Sequence, residues 1–244
     1  MVSVCMSAYN GEKYIYYQVE SILKQLDSLD ELIIYDDCST DSTVPLLQTI
    51  HDSRIRLICG KRNIGFLKGF QIAIENAKGD YIILSDQDDI WLKNKVLTIK
   101  SIFQTEKCDC IIHDAIIVDE NMNILSKSMF EFLGITTNPF FNFVHNTATG
   151  ACMAFKAEIV KCILPFPSFA VYHDRWISVI LSLCGKKIIC ISEPLIFYVR
   201  HDGTVTNFHR NNIISIVLDR IKFFLAVLYR IFIFDLFKII KMHS

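Results

Sequence analysis

The sequence predicts an α/β protein built on a mainly parallel central sheet with helices on both faces. Short β-rich runs alternate with helix-spaced segments over the first 100 residues, which is the order that a parallel sheet requires. Three of these runs are followed by polar segments, SAYNG, DDCSTD and SDQDD. Because ligands of such sheets bind beyond the carboxyl ends of the strands, we expect the three segments to meet in one site.

The first half of the chain supplies four strands and three helices in this prediction. The strands are expected at residues 2–9, 31–37, 54–60 and 81–84. A helix is predicted at 14–26, where apolar residues recur at intervals of three and four. Two more are predicted at 38–50, which begins with capping residues, and at 66–79, which ends at a glycine.

The pattern is less regular after about residue 100. Strand character returns at 108–120 and at 188–201, and a strand leading into a helix is expected at 149–160. A helix is predicted at 173–187, where Gly185 ends it. Residues 126–148 carry many aromatic side chains and few periodic signals, and we interpret them as a loop or lid.

Composition excludes several classes of protein. The 244 residues carry a net charge of −1, which disfavours nucleic-acid binding, and a mean hydropathy of +0.34, which excludes disorder. The nine cysteines form no CxxC pair, so neither a zinc site nor a disulfide framework is expected, and a reduced, cytoplasmic protein is the simpler interpretation. The amino terminus lacks a basic segment and is interpreted as a first strand, not a signal peptide.

The segment SDQDD concentrates three carboxylates, Asp86, Asp88 and Asp89, at the end of a predicted strand. Helix capping would explain Asp89 but not all three. The other use of such a cluster is to bind a hard divalent cation, Mn²⁺ or Mg²⁺, which prefers carboxylate oxygens. Asp86 and Asp88 are two residues apart, so on a strand end they face the same side and can share one ion.

These segments together resemble family 2 glycosyltransferases, which have the GT-A fold. The resemblance rests on VSVCMSAYNGEKYI, DDCSTDST, GKRNIGFLKGFQIAIENAKGDYIILSDQDDIW and HDRW, and covers roughly residues 1–205. The SDQDD and HDRW variants look most like the rhamnosyltransferase-type bacterial enzymes of surface polysaccharide synthesis. The resemblance implies a nucleotide-sugar half at 1–100 and an acceptor and catalytic half at 101–210 of the same domain. The apolar pattern of the remaining residues indicates a separate amphipathic tail at 211–244.

The resemblance also implies roles for particular residues. Nucleotide-sugar contacts are assigned to Ser7, Tyr9, Asn10, Asp37, Arg62, Asn63, Lys68 and Asp86. A carboxylate such as Asp37 accepts hydrogen bonds from an imide N–H or from ribose hydroxyls. The alternatives remain a plain turn for the aspartate and ordinary solvated charge for Arg62 and Lys68.

The acceptor and metal sites are assigned in the same way. Asp174 is the candidate general base that takes the acceptor proton, with helix capping as its alternative. Acceptor contacts are assigned to Thr149, Gly150, His173 and Trp176, and metal contacts to Asp86, Asp88 and His201. Imidazole is a good Mn²⁺ ligand, although a single histidine is as often an ordinary surface or core residue.

Residues 213–240 are strongly apolar but contain no uncharged run of the roughly 18–20 residues that a spanning helix needs. One helical stripe is apolar: Ile214, Leu218, Ile221, Leu225, Leu228, Phe232, Leu236 and Ile239. We expect an amphipathic helix lying on the inner face of the plasma membrane. Packing on the catalytic core and a homodimer seam are the alternatives.

The sequence therefore predicts a metal-dependent, inverting glycosyltransferase. Its expected donor is dTDP-rhamnose or a UDP-hexose, and its expected acceptor is a saccharide, lipid-linked in capsule or O-antigen synthesis. A sugar nucleotidyltransferase is an alternative, but those enzymes open with a glycine-rich basic loop and SAYNGEKY holds one glycine. A non-catalytic partner subunit is another, although none of the expected carboxylates is missing.

Overall fold

A computed structural model describes residues 1–134, 149–167, 172–201 and 220–232. In these ranges nine strands form a single sheet in the order β3-β2-β1-β4-β8-β6-β9-β5, with β7 paired to β6. The strands are β1 Val2–Ala8, β2 Glu31–Asp36, β3 Ile55–Cys59, β4 Tyr81–Ser85, β5 Ile90–Trp91, β6 Cys110–Asp119, β7 Ile124–Ser126, β8 Met153–Lys156 and β9 Ile188–Arg200. The helices are α1 Ile15–Leu23, α2 Thr43–Thr49, α3 Phe66–Glu75, α4 Lys95–Thr105, α5 Met129–Leu133, α6 Val160–Ile163 and α7 His173–Leu183.

Six of the described strands run in the same direction. β1 is parallel to β2 and β4, and β2 is parallel to β3. β4 and β6 are each antiparallel to β8, so they share a direction, and β9 is parallel to β6. The carboxyl ends of β1, β2, β3, β4, β6 and β9 therefore lie along one edge, as predicted for the first four.

The second half of the sheet is mixed, because β5, β7 and β8 run against their neighbours. The expected strand or strand pair at 108–120 is the single strand β6, and 188–201 forms one long strand. Eight of the ten residues of β6 are buried, so it is a central strand of the second half. The sheet thus continues through both halves of the chain.

The interpretation of residues 126–148 as a loop or lid is covered by the structure only in part. The last residue of β7 and all of α5 lie in this stretch, and residues 135–148 lie outside the described residues. Asp114 fixes the start of α5, since its carboxylate accepts hydrogen bonds from the Ser128 hydroxyl at 2.5 Å and the Phe130 N–H at 3.0 Å.

Residues 220–232 are helical and pack on the core through one face. Phe223, Ala226 and Val227 are buried, and the Phe223 ring meets Trp176 edge-to-face at 6.4 Å. Arg230 completes this face by donating to the carbonyls of Cys162 and Leu164. The stripe predicted from the sequence lies elsewhere: Ile221, Leu225, Leu228 and Phe232 are 45–66% exposed, and its other four members are outside the described residues.

No helix in the described part of the chain is long and apolar enough to cross a bilayer.

Candidate functional site

A cleft of about 880 Å³ opens at the carboxyl edge of the sheet. The three polar loops after β1, β2 and β4 line it, as do residues that follow β6 and β9 and residues at the start of α7. Twelve of the residues predicted from the sequence lie on its walls: Ser7, Tyr9, Asn10, Asp37, Asn63, Asp86, Asp88, Thr149, Gly150, His173, Asp174 and His201. The predicted convergence of distant segments is therefore present in the fold.

Three of the predicted residues do not line the cleft. Arg62 is exposed beside it, and the Lys68 ammonium donates to Gln71 at 3.0 Å on its own helix. Trp176 is 1% exposed and its indole N–H donates to the Ile163 carbonyl at 2.8 Å. Trp176 therefore packs in the core. The described cleft residues include a lysine, Lys13, that was not predicted from the sequence.

The loop after β2 is held by its own carboxylates. Asp37 accepts backbone hydrogen bonds from Ile64 and Gly65, both at 2.7 Å, while Asp36 accepts from the Ser39 N–H and hydroxyl. Asp37 is 1% exposed, yet it lines the cleft. A carboxylate has about four acceptor positions, so Asp37 retains capacity for a ligand after both backbone bonds are made.

The acidic loop after β4, residues 86–89, lines the cleft through Asp86, Gln87 and Asp88 and is named the acidic floor. The Asp88 carboxylate lies 2.8 Å from Nε2 of His201, and the His201 ring stacks on Tyr14 with centroids 4.5 Å apart. The hydrogen bond with Asp88 raises the pKa of His201. Removal from water, together with the nearby charges of Asp88 and Asp174, raises the pKa of Asp86 to about 7.

This floor fits a divalent cation in its chemistry. Two carboxylates and an imidazole face the same cleft, which is a donor set suited to Mn²⁺ or Mg²⁺. Burial is the main cause of the raised pKa of Asp86, and the charges of Asp88 and Asp174 add to it; a bound cation would offset those charges. In the arrangement described, no group of three or more His, Cys, Asp or Glu side chains is already closed around an ion position.

A buried lysine lies beneath the acidic floor. Lys95 is fully buried, its ammonium donates to the Ala151 carbonyl at 2.9 Å, and it sits 4.3 Å from the centre of the Trp91 ring. Burial lowers the pKa of Lys95 to about 8, and the charges of Asp89 and Asp86 oppose that shift. Asp89 is itself 2% exposed and accepts the Val199 N–H at 3.2 Å, so it fastens β9 and does not cap α4.

Asp174 lies in the first turn of α7, facing the acidic loop across the cleft. Its carboxylate accepts the Arg175 N–H at 2.6 Å and also the Gly150 N–H. Burial raises the pKa of Asp174 to about 6, so the carboxylate is mostly deprotonated at pH 7. A general base needs that state.

His173 packs tightly behind Asp174. Its ring stacks on Phe70 at 4.3 Å, and a Cβ added to Gly150 would come within 2.1 Å of His173 Nε2, so only glycine fits there. Neither ring nitrogen has a hydrogen-bond partner among the described residues, and burial lowers the pKa of His173 to about 4. The imidazole is therefore neutral at physiological pH.

The sequence missed two side chains that organise this site. Neither Lys95 nor Gln87 is among the residues predicted from the sequence. Gln87 in fact lines the cleft and forms two hydrogen bonds to the backbone of Tyr9. A lysine six residues after three clustered aspartates is the sequence feature that could have indicated the role of Lys95. No local pattern indicates that Gln87 bonds to the backbone of Tyr9.

The sequence matches a known family and a curated relative. Residues 3–164 match the model of the family described as Glycosyl transferase family 2. The Escherichia coli UDP-Glc:alpha-D-GlcNAc-diphosphoundecaprenol beta-1,3-glucosyltransferase WfaP is 41% identical over 109 residues, 44% of this chain. The match spans 43% of that relative's length.

Solved structures resemble the fold as a whole. Staphylococcus aureus TarS 1–349 in complex with UDP aligns with a TM-score of 0.67 and 19% identity, over 82% of this chain and 60% of that one. The Pyrobaculum calidifontis mannosyltransferase PcManGT in complex with GDP-Man and Mn²⁺ aligns with a TM-score of 0.59 and 18% identity, over 82% and 56%. Likeness at these identities establishes the fold alone, and it confirms the predicted α/β, GT-A-type architecture.

Replacing the buried lysine should destabilise the fold. Lys95→Met removes the cation beside Asp86 and Asp89 and leaves the Ala151 carbonyl without its donor, so we expect a loss of about 3 kcal/mol in the free energy of unfolding. The pKa of Asp86 is about 7, so at pH 5 this carboxylate is protonated and the loss should be smaller than at pH 7.

Urea denaturation at both pH values measures this loss. Lys93→Met is the matched control, because Lys93 is exposed two residues earlier. An equal, small effect of the two substitutions would contradict a compensating role for the Lys95 charge.

Proposed function

The chain belongs to glycosyl transferase family 2, and we propose that it transfers a sugar from a nucleoside diphosphate donor to a saccharide acceptor with inversion at the anomeric carbon. The observation that carries the proposal is that one cleft holds both the acidic loop, with Asp86 and Asp88, and the partly buried carboxylate of Asp174. Leaving-group stabilisation and proton removal are the two chemical demands of such a transfer.

The donor half of the cleft comprises the loops after β1 and β2. Ser7, Tyr9, Asn10, Asp37 and Asn63 line it, and their hydroxyl, amide and carboxylate groups suit a nucleoside. A UDP-hexose is the favoured donor, since the Escherichia coli relative is named for UDP-Glc and the Staphylococcus aureus structure holds UDP. dTDP-rhamnose is the donor to compare with it.

Asp86, Asp88 and His201 would hold Mn²⁺ or Mg²⁺. When bound, the ion supplies positive charge that neutralises the departing diphosphate. The lining ammonium of Lys13 adds a further positive charge to the same cleft.

The transfer is a single displacement. The acceptor hydroxyl oxygen attacks the anomeric carbon, the bond from that carbon to the diphosphate oxygen breaks, and the hydroxyl proton passes to the Asp174 carboxylate. The two backbone N–H groups that donate to Asp174 hold its orientation. Thr149, Gly150 and the neutral His173 form the adjoining wall, which is our proposed acceptor side.

The acceptor is proposed to be lipid-linked, and the enzyme to reach it by lying on the membrane surface. The Escherichia coli relative is named for a diphosphoundecaprenol acceptor. Residues 220–232 present Ile221, Leu225, Leu228 and Phe232 to solvent, with Arg220 and Lys222 also exposed. An apolar face beside basic residues suits an anionic lipid surface.

Asp88→Asn tests the donor and metal assignments together. Wild-type protein should bind UDP more tightly with Mn²⁺ than with EDTA, and the variant should lose most of that gain because it lacks one anionic ligand. Isothermal calorimetry with UDP, dTDP and GDP measures this and identifies the nucleotide. Asp27→Asn is the control, since its side chain is 80% exposed outside the cleft. Equal binding with and without metal in the wild type would refute the metal assignment.

Asp174→Asn tests the base. The amide oxygen can still accept the Arg175 N–H, so fold and donor binding should survive. Transfer from the donor identified above to a lipid-linked GlcNAc acceptor should fall by about 100-fold or more, the usual contribution of a positioned base. A variant that keeps full transfer activity would remove Asp174 from this role.

The double variant Leu225→Ser/Phe232→Ser tests membrane contact. Both side chains are more than half exposed, so the fold should tolerate the change. The fraction of protein that sediments with phosphatidylglycerol–phosphatidylethanolamine vesicles should fall severalfold. Leu29→Ser/Leu97→Ser is the matched control, with side chains 78% and 67% exposed elsewhere on the surface. Unchanged sedimentation of the first variant would reject this surface.

A further inference from the structure

Gln87 joins two loops that are 78 residues apart in the sequence. The Tyr9 N–H donates to Gln87 Oε1 at 2.9 Å, and Gln87 Nε2 donates to the Tyr9 carbonyl at 3.1 Å. One side-chain amide thus satisfies both backbone groups of a single residue, as a neighbouring strand would. The loop after β1 is thereby tied to the acidic loop after β4.

The contact is close-packed. A Cβ built on Gly11 would lie 2.4 Å from Gln87 Oε1, so the loop after β1 can approach the amide only because that residue is glycine. Gln87 also stands between Asp86 and Asp88 in the chain, so any shift of its backbone moves both carboxylates.

Further hydrogen bonds link the loop after β1 to the loop after β2. The Asn10 N–H donates to the Ser39 hydroxyl at 2.9 Å, and the Asn10 side chain accepts the Thr40 N–H at 2.8 Å. The Ser39 hydroxyl in turn donates to Asp36 at 2.5 Å. Hydrogen bonds from two consecutive residues, Tyr9 and Asn10, therefore connect the loop after β1 to both the acidic loop and the loop after β2.

We propose that Gln87 is a positioning residue that fixes the distance between the nucleoside loops and the carboxylates of the acidic floor. The inference rests on the proposed function, because it assigns the nucleoside to one side of this tie and the diphosphate with its cation to the other. A rigid spacing lets the two parts of one ligand bind together without first ordering the loops. Loss of the tie should weaken that cooperation and leave each part's own contacts in place.

Gln87→Glu separates this role from metal ligation. The substitution keeps the length of the side chain but removes the N–H that donates to the Tyr9 carbonyl, and it adds a negative charge. If residue 87 contacted the cation, the new carboxylate would strengthen metal binding. If residue 87 is instead a positioning residue, both Gln87→Glu and Gln87→Ala should weaken metal-dependent nucleotide binding.

Hydrogen exchange tests the tie in the free protein. The Tyr9 amide should exchange faster in Gln87→Ala than in wild type, because its acceptor is gone. Peptides from the core of β1 should exchange at the same rate in both. Gln48→Ala, an exposed substitution on α2 outside the cleft, is the control and should leave Tyr9 exchange unchanged. Unchanged Tyr9 exchange in Gln87→Ala would overturn the proposal.

Calorimetry with UDP tests whether loss of the Gln87 hydrogen bonds weakens the cooperation between nucleotide and cation. The factor by which Mn²⁺ strengthens UDP binding should fall by about five-fold or more in Gln87→Ala, as expected when two hydrogen bonds between loops are lost. Binding in EDTA should stay within about two-fold of wild type, whereas general damage to the cleft would weaken both. An unchanged factor overturns the positioning role alone. A wild-type protein that binds none of UDP, dTDP and GDP overturns the proposed function and this inference with it.

Discussion

The concentration of negative charge at the carboxyl end of β4 is the constraint on which the rest of the site depends. Asp86, Asp88 and Asp89 follow a strand whose last residues are fully buried, so their charges are close together and poorly solvated. Lys95 is the fixed cation that offsets them from below. Between Asp89 and Lys95 the chain forms the short strand β5, and Asn94, with φ 69°, is the N-cap residue of α4.

The same cation links the two halves of the chain. Its hydrogen bond to the Ala151 carbonyl holds the turn Gly150–Cys152, and the N–H of Gly150 donates to Asp174. The candidate base is therefore fixed relative to the acidic loop through one buried charge, although the two lie 85 or more residues apart in the sequence. This explains how a cleft assembled from both halves can keep a defined geometry around a ligand.

The parts of the site that sequence reasoning predicts are those set by strand direction. SAYNG, DDCSTD and SDQDD converge because parallel strands end at one edge, and this requires only the alternating pattern. Hydrogen bonds between side chains and distant backbone groups cannot be predicted from strand direction. That Asp37 accepts from Ile64 and Gly65, or that Gln87 pairs with Tyr9, depends on loop conformations that no periodicity encodes. The strand expected at 149–160 is present as β8, but its antiparallel direction was not predicted, because residue spacing does not encode strand direction.

The helix at residues 220–232 illustrates a limit of periodicity. It is apolar on two faces, so spacing predicts that stripes exist but not which stripe meets the core. The buried face includes Arg230, a residue that hydropathy assigns to solvent, because the carbonyls of Cys162 and Leu164 accept its hydrogen bonds. The described members of the predicted stripe, Ile221, Leu225, Leu228 and Phe232, are exposed.

The motif HDRW shows where helix geometry alone would have sharpened the prediction. Residues two apart on a helix point about 200° from each other, so Asp174 and Trp176 cannot both face one cleft. With Asp174 in the cleft, Trp176 must turn to the core, where it meets Phe223, and the Arg175 guanidinium lies 4.3 Å over the same ring. One turn of α7 therefore carries the candidate base on one side and, on the other, the side chains against which the 220–232 helix packs. A surface that contacts lipid through that helix would be joined to the candidate base by a single layer of side chains.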